Sequence, residues 1–304
     1  MYSIDCFFLG EERDYGIQMR SGVSSTRGGV VLMQCFSIAP KEMVASLWRN
    51  RYLIKTFVQR EVVGRYRGSF MGILWSFFHP VFMLSVYTFV FSVVFKARWH
   101  TGSDSKTEFA LILFSGLMVF NLFAECINRA PTLILSHVNY VKKVIFPLEI
   151  LPWVVLGGAL FHTVVSFIVW LIAYIILFGT PHLTIILLPV VILPLLLFIV
   201  GISWGLASLG VYLRDVSQFI GIFTAALMFL TPIFYSASNL PEKYQILLRL
   251  NPLTSVVEQT RDVLFWGKPP DIKLLVVSFL CSILIAWLGF AWFQKTRKGF
   301  ADVL

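Results

Sequence analysis

Charge is what this chain has least of. Asp, Glu, Lys and Arg make up 13% of its 304 residues against 58% apolar types, and the mean hydropathy is +0.80. A soluble domain of that composition would have too few polar side chains to cover its water-facing surface, so a soluble fold is excluded. Catalytic signatures are scarce as well. There is no G-x-x-x-x-G-K-[ST] phosphate loop, since Gly267-Lys268 is followed by Pro269, and the chain alone is not expected to hydrolyse ATP. No H-E-x-x-H pair or Cys/His cluster has metal-ligand spacing, so no metal is expected. Cysteines number four. Cys6 and Cys35 precede the apolar region, while Cys126 and Cys281 lie in or beside apolar stretches, so the pattern is that of small hydrophobes and not of a disulfide framework. The acidic residues Glu242, Glu258, Asp262 and Asp271 alternate with basic ones. They read as a solvated face, and paired catalytic carboxylates are not expected.

Long apolar runs are abundant. Gly72–Phe95, Phe109–Ile127, Pro152–Phe178, Leu183–Leu213, Val216–Tyr235 and Leu274–Phe293 each approach the roughly 20 residues that a bilayer-spanning helix needs. The expected fold is an all-α membrane protein with six transmembrane helices. None of these runs carries Asp, Glu, Lys or Arg near its middle, which disfavours proton-coupled transport, where buried ionisable relays are the rule. His79 and His162 read as packing residues, and Glu125 with Arg129 as an i, i+4 surface pair. Gly201 and Gly205 have the small-x-x-x-small spacing of close helix packing. Pro189 and Pro194 are expected to kink the fourth run.

Lysine and arginine positions set the orientation. Lys41, Arg49, Arg51, Lys55, Arg60, Arg65 and Arg67 precede the first run, against only Glu42 and Glu61, so this end is expected to stay cytoplasmic. Alternation then places Arg129, Lys142 and Lys143, the Arg214 turn, and the tail with Lys295, Arg297 and Lys298 inside as well, with both termini cytoplasmic. The net charge of +9 needs no nucleic-acid partner, because the positive-inside bias and anionic membrane lipids account for most of it. Residues 46–67 have helical length and an imperfect amphipathic pattern. Leu47, Ile54, Val58 and Val62 share one face, Arg49, Arg60 and Arg67 the other, and Arg51 and Arg65 intrude on the apolar stripe. This suits an interfacial helix on the inner leaflet, or a plain basic topology anchor. Residues 1–40 are richer in Gly and Ser, and their one apolar run, Val30–Met33, is too short for a secretory core. They read as a loosely ordered extension, or as sequence upstream of a start at Met33 or Met43.

The segment Pro131–Pro152 (PTLILSHVNYVKKVIFPLEILP) holds a short basic amphipathic stretch that must end at Pro147. Together with the basic helix at 46–67, the start G-I-L-W-S-F-F-H-P (Gly72–Pro80), the L-R-D-V turn (Leu213–Val216) and N-P-L-T-S-V-V-E-Q-T-R-D-V-L (Asn251–Leu264), it resembles the permease subunit of type-2 ABC exporters. The nearest branch is the O-antigen and polysaccharide export permeases (Wzm-like). The resemblance runs from about residue 44 to the C-terminus, over the transmembrane region 41–304.

What the resemblance implies is a homodimer in the bacterial inner membrane, joined to two copies of a separate ATPase that binds ATP and Mg, with no cofactor on this chain. Arg49, Arg60 and Arg67, with Asn139, Tyr140, Lys142 and Lys143 of a coupling helix at Asn139–Phe146, would then face the ATPase. Leu240–Phe265, split at Asn251-Pro252 and including Arg261, would form external gate helices. The substrate would be a polyprenyl-linked polysaccharide. Sugar hydroxyls entering hydrocarbon without partners cost several kcal/mol each, so a conduit needs stacking and hydrogen-bonding walls. Trp75, Phe78, Phe82 and Phe89 fall within about a 60° arc of the first helix by projection, a stripe that lines the conduit, faces lipid or packs in the core. An exporter of drugs or small lipids shares the architecture, and a membrane enzyme acting on polyprenyl-linked sugars is the alternative from another class.

Overall fold

Uncharged runs bounded by proline, glycine or charge become the long helices of this protein. In the computed structural model, five helices are long and apolar enough to cross a membrane: Gly72–Val90, Thr107–Thr132, Leu148–Phe178, Leu183–Tyr212 and Ile272–Val303. The structure describes residues 37–90, 106–142, 146–237 and 251–304, with four single positions between 241 and 248. Among the described residues every regular element is helical. The expected extension at 1–36, the end of the first span at 91–95, and Lys143 lie outside them.

In chain order the α-helices are α1 (Pro40–Arg49), α2 (Arg51–Tyr66), α3 (Trp75–Tyr87), α4 (Lys106–Arg129), α5 (Val138–Lys142), α6 (Leu151–Phe178), α7 (Leu188–Tyr212), α8 (Val216–Leu230), α9 (Pro252–Leu264), α10 (Ile272–Thr296) and α11 (Phe300–Val303). The basic segment expected as one helix is two. Asn50 leaves helical geometry at φ −98° and ψ 11°, and its side chain donates to the Ser46 carbonyl at 2.9 Å. Gly68 and Gly72, at φ 85° and 53°, turn the chain from α2 into the first span, a conformation that a Cβ would strain.

Two boundaries differ from expectation. Pro189 opens α7 within its first turn, after a 3-10 stretch Leu183–Leu187, where a missing N–H costs nothing. Of the two prolines expected to kink the helix, only Pro194 lies inside it. The expected fifth span, Val216–Tyr235, ends as a helix at Leu230. Thr231 precedes Pro232 and takes the extended geometry (φ −88°, ψ 135°) that a following proline imposes. At 1.5 Å per residue the 15 residues of α8 span about 22 Å, short of a hydrocarbon core of about 30 Å.

Ile38–Leu304 form one compact unit. Helix α4 is its hub. The most apolar window of α4 is 83% buried in the chain, against 11% for Gly72–Val90, so the first span is peripheral. Trp170 donates to the Leu111 carbonyl and Trp204 to the Glu149 carbonyl, each at 3.0 Å, which lets both indoles be fully buried with their N–H satisfied. Helices α7 and α10 meet at small residues. A Cβ at Gly201 would lie 2.7 Å from the Ala286 backbone, and one at Gly289 would overlap the Gly201 carbonyl, whereas Gly205 faces open space. The close approach therefore pairs Gly201 with Ala286 and Gly289 across helices, and the expected Gly201/Gly205 pair contributes only its first member.

Candidate functional site

The basic segments converge on one end of the molecule. Glu149, in the turn before α6, accepts from Ser46 of α1 at 3.0 Å and pairs with Arg297 at 2.6 Å. Arg297 also donates to the Phe146 carbonyl at 2.7 Å. The two ionic side chains are only 9% and 13% exposed, so the interface helices, the loop before α6 and the C-terminal tail are joined by a shielded ion pair. Tyr212, at the end of α7, adds a hydrogen bond to the Thr296 carbonyl at 2.9 Å. Sequence reasoning did not single out Glu149 or paired Arg297. A Glu in an otherwise apolar turn was the available signal.

A second network ties α2 to the last turns of α4 and to His162 within α6. Arg65 donates to Glu125 at 2.6 Å and meets His162 Nε2 at 2.8 Å, while Tyr66 Oη lies 3.3 Å from His162 Nδ1. Arg129 pairs with Glu61 at 2.5 Å. This corrects two expectations. Glu125 and Arg129 each bind a partner on α2 in place of each other, and His162 belongs to this ionic network. Arg65, which breaks the amphipathic pattern of α2, does so because it faces the carboxylate of α4. On the apolar face Val62 is buried and Val58 fills the space over Gly157 of α6.

Among the residues expected to meet an ATPase, Arg49, Arg60, Arg67 and Asn139 are exposed. Arg49 pairs with Glu42 at 2.8 Å. Tyr140 differs: its ring stacks on Phe146 at 4.6 Å, on His137 at 5.6 Å, and meets Phe57 of α2 edge-on at 5.9 Å. It braces α5 against α2 and is only partly available to another molecule. Lys142 closes α5.

At the opposite end Arg261 of α9 is buried. It donates to the carbonyls of Pro232 at 2.6 Å, Ile233 at 2.7 Å and Ile112 at 3.3 Å. Burial pulls its guanidinium down to about 10, so it stays charged at neutral pH, solvated by peptide oxygens, two of which, on Pro232 and Ile233, the Thr231-Pro232 break leaves outside any helix. Asn251 caps α9, accepting from the Leu253 amide and donating to Thr231, each at 3.0 Å, and Pro252 occupies the first turn. The α9 half of the segment expected as a gate is thus bolted to the end of α8 and to α4, while most of its first half, 240–250, lies outside the described residues.

Trp75, Phe78, Phe82 and Phe89 are 49%, 46%, 66% and 60% exposed. The stripe is on the outside of the chain, so its core-packing reading is overturned. Helix α8 presents a second apolar face with Phe219, Ile222, Phe223 and Phe229 exposed. Both faces belong to helices packed on α4.

A family described as ABC-2 type transporter matches residues 52–265. The O-antigen export system permease protein RfbA of Myxococcus xanthus is 28% identical over 262 residues, which cover 86% of this chain and 98% of that protein. An RfbA of Klebsiella pneumoniae is 25% identical over 256 residues, 83% of this chain and 95% of the relative. The capsule polysaccharide export inner-membrane protein CtrC of Neisseria meningitidis serogroup A is 22% identical over 262 residues, covering 84% and 94%.

Proposed function

This chain belongs to the ABC-2 type transporter family, and from that membership we propose that it is the permease through which a lipid-linked, O-antigen-like polysaccharide leaves the cytoplasmic side of a bacterial inner membrane. The observation that carries this reading is the end-to-end similarity to an O-antigen export permease, 98% of which is covered. No covalent chemistry takes place on the chain. Two copies form the membrane unit, with the first-span stripe as part of the conduit wall. Two separate ATPase subunits bind ATP and Mg and dock on the end that bears α1, α2 and α5. Support comes from the missing phosphate loop and from the gathering of the basic segments at that one end. The basic end is cytoplasmic by the positive-inside rule, so both termini are inside. Helix α8 makes the sixth crossing despite its length: it starts beside the end of α7 and finishes at the Arg261 cluster.

Surface glycan in a null strain complemented by Trp75→Ala, Phe82→Ala or Phe89→Ala tests the reading. Each substitution removes a stacking surface worth about 0.5–1.5 kcal/mol per contact. Export should fall severalfold, while recovery of the intact complex stays near normal because these rings are outside the core, where losing a ring would cost about 3–5 kcal/mol. Unchanged glycan with all three variants would assign the stripe to lipid. The docking assignment has its own test. Reversing charge at Lys142 and Lys143 should lower co-purification of the ATPase without changing the melting temperature of the membrane unit, and unchanged co-purification would leave these lysines as topology anchors only.

A further inference from the structure

A cavity of about 170 Å³ lies between α2, the end of α4, the turns that follow it and the start of α6. Of the residues the export reading turns toward the ATPase, Arg60 and Tyr140 line it, and that reading gives the space itself no occupant. One wall is polar, with Arg60, Glu61, Arg129 and His137, and the other is apolar, with Phe57, Leu151 and Val154. Arg129 is the informative residue. Its Nη2 donates to Glu61, but its Nη1 is shielded from solvent and has no hydrogen-bond partner among the described residues. A shielded polar group left unpaired is costly, so the geometry asks for an acceptor from outside the chain.

The charge around the cavity specifies what kind of acceptor. Arg60 and Arg129 share the lining with one carboxylate, Glu61, leaving one positive charge in excess. An excess of guanidinium suits phosphate oxygens, which match its donor fork. The apolar wall narrows the class further. Inorganic phosphate has no group to lay against Phe57, Leu151 and Val154, whereas a phosphorylated amphiphile places hydrocarbon there. Arg129 closes one membrane-crossing helix and Leu151 opens another, which puts the cavity at headgroup depth.

We propose that this cavity binds the phosphate of a membrane amphiphile, with Arg129 and Arg60 as its donors. Two sources share that chemistry: a bilayer phospholipid and a polyprenyl phosphate. The phosphate assignment stands apart from the export reading, and only the polyprenyl source would deepen it.

The test uses the full chain in nanodiscs doped with a diazirine-tagged short polyprenyl phosphate or, separately, diazirine-tagged phosphatidylglycerol, with adducts mapped by peptide sequencing. Adducts are expected on 57–61 and 129–155. They should fall about tenfold in Arg129→Gln and in Arg60→Gln, the loss of one charge-assisted hydrogen bond. Arg60 is exposed, so Arg60→Gln keeps the test alive if Arg129→Gln fails to fold. Labelling by the polyprenyl probe alone assigns the site to the carrier, and labelling by phosphatidylglycerol assigns it to a lipid headgroup. Adducts elsewhere, or undiminished labelling in both variants, overturn the proposal. Labelling that an added ATPase subunit abolishes while protecting 129–155 gives the cavity to a protein carboxylate and also overturns it.

Discussion

Gly289→Leu is expected to separate α7 from α10 and to leave little folded protein. A Cβ at this position overlaps the Gly201 carbonyl, and the obstacle is backbone, which cannot rotate away as a side-chain tip can. Inserting bulk into a packed contact ordinarily costs about 1–3 kcal/mol. Here the helices must also move apart, losing the dispersion contacts of the α7–α10 seam, so the effect should exceed that range. Gly205→Ala is the matched control: nothing lies within 4 Å of a Cβ there, and alanine is the better helix former. Fluorescence-detected size exclusion after a heating series would read both. A stable, monodisperse Gly289→Leu would refute the seam described here.

The second large effect concerns Glu149. Removing one member of a shielded ion pair leaves the other charge desolvated, at a cost of about 3–5 kcal/mol. Glu149→Ala should therefore lower the melting temperature sharply, and it removes the acceptor of Ser46 as well. Glu149→Leu combined with Arg297→Met should recover much of the loss, since an apolar pair of similar size has no charge to desolvate. The Arg49–Glu42 pair provides contrast. The Arg49 side chain is 60% exposed, and Glu42→Ala should change stability by about 0–1 kcal/mol. Equal effects of Glu149→Ala and Glu42→Ala would show that the buried node contributes nothing special.

Those two cases also show what the sequence discloses about this fold and what it hides. Uncharged runs mark five crossing helices because a bilayer permits no other local solution for a backbone that must satisfy its own hydrogen bonds. Helix ends are less legible. The Thr231-Pro232 step stops α8 where composition alone would continue it, and Pro189 starts a helix where it was expected to bend one. Long-range pairing is hidden altogether. Arg129 and Glu61 are 68 residues apart and Arg297 and Glu149 are 148 apart, and no local periodicity points from one to the other. The exposed aromatic stripe was visible as a stripe because helical projection needs only spacing. That it stands outside the core required knowing that α4, and not α3, is the hub.

The Glu149 node has a consequence for synthesis. Ser46 leaves the ribosome before Glu149, whereas Arg297 follows it by 148 positions. At the usual 5–20 residues per second, Glu149 waits roughly 7–30 s for its counter-ion. During that interval α6, α7 and α10 are made while Glu149 is held by the Ser46 hydroxyl at its carboxylate and by the Trp204 indole at its carbonyl. The arrival of Arg297, seven residues before Leu304, closes the node, so a chain ending at Thr296 would have its long membrane-crossing helices but lack the counter-ion that fastens the loop before α6.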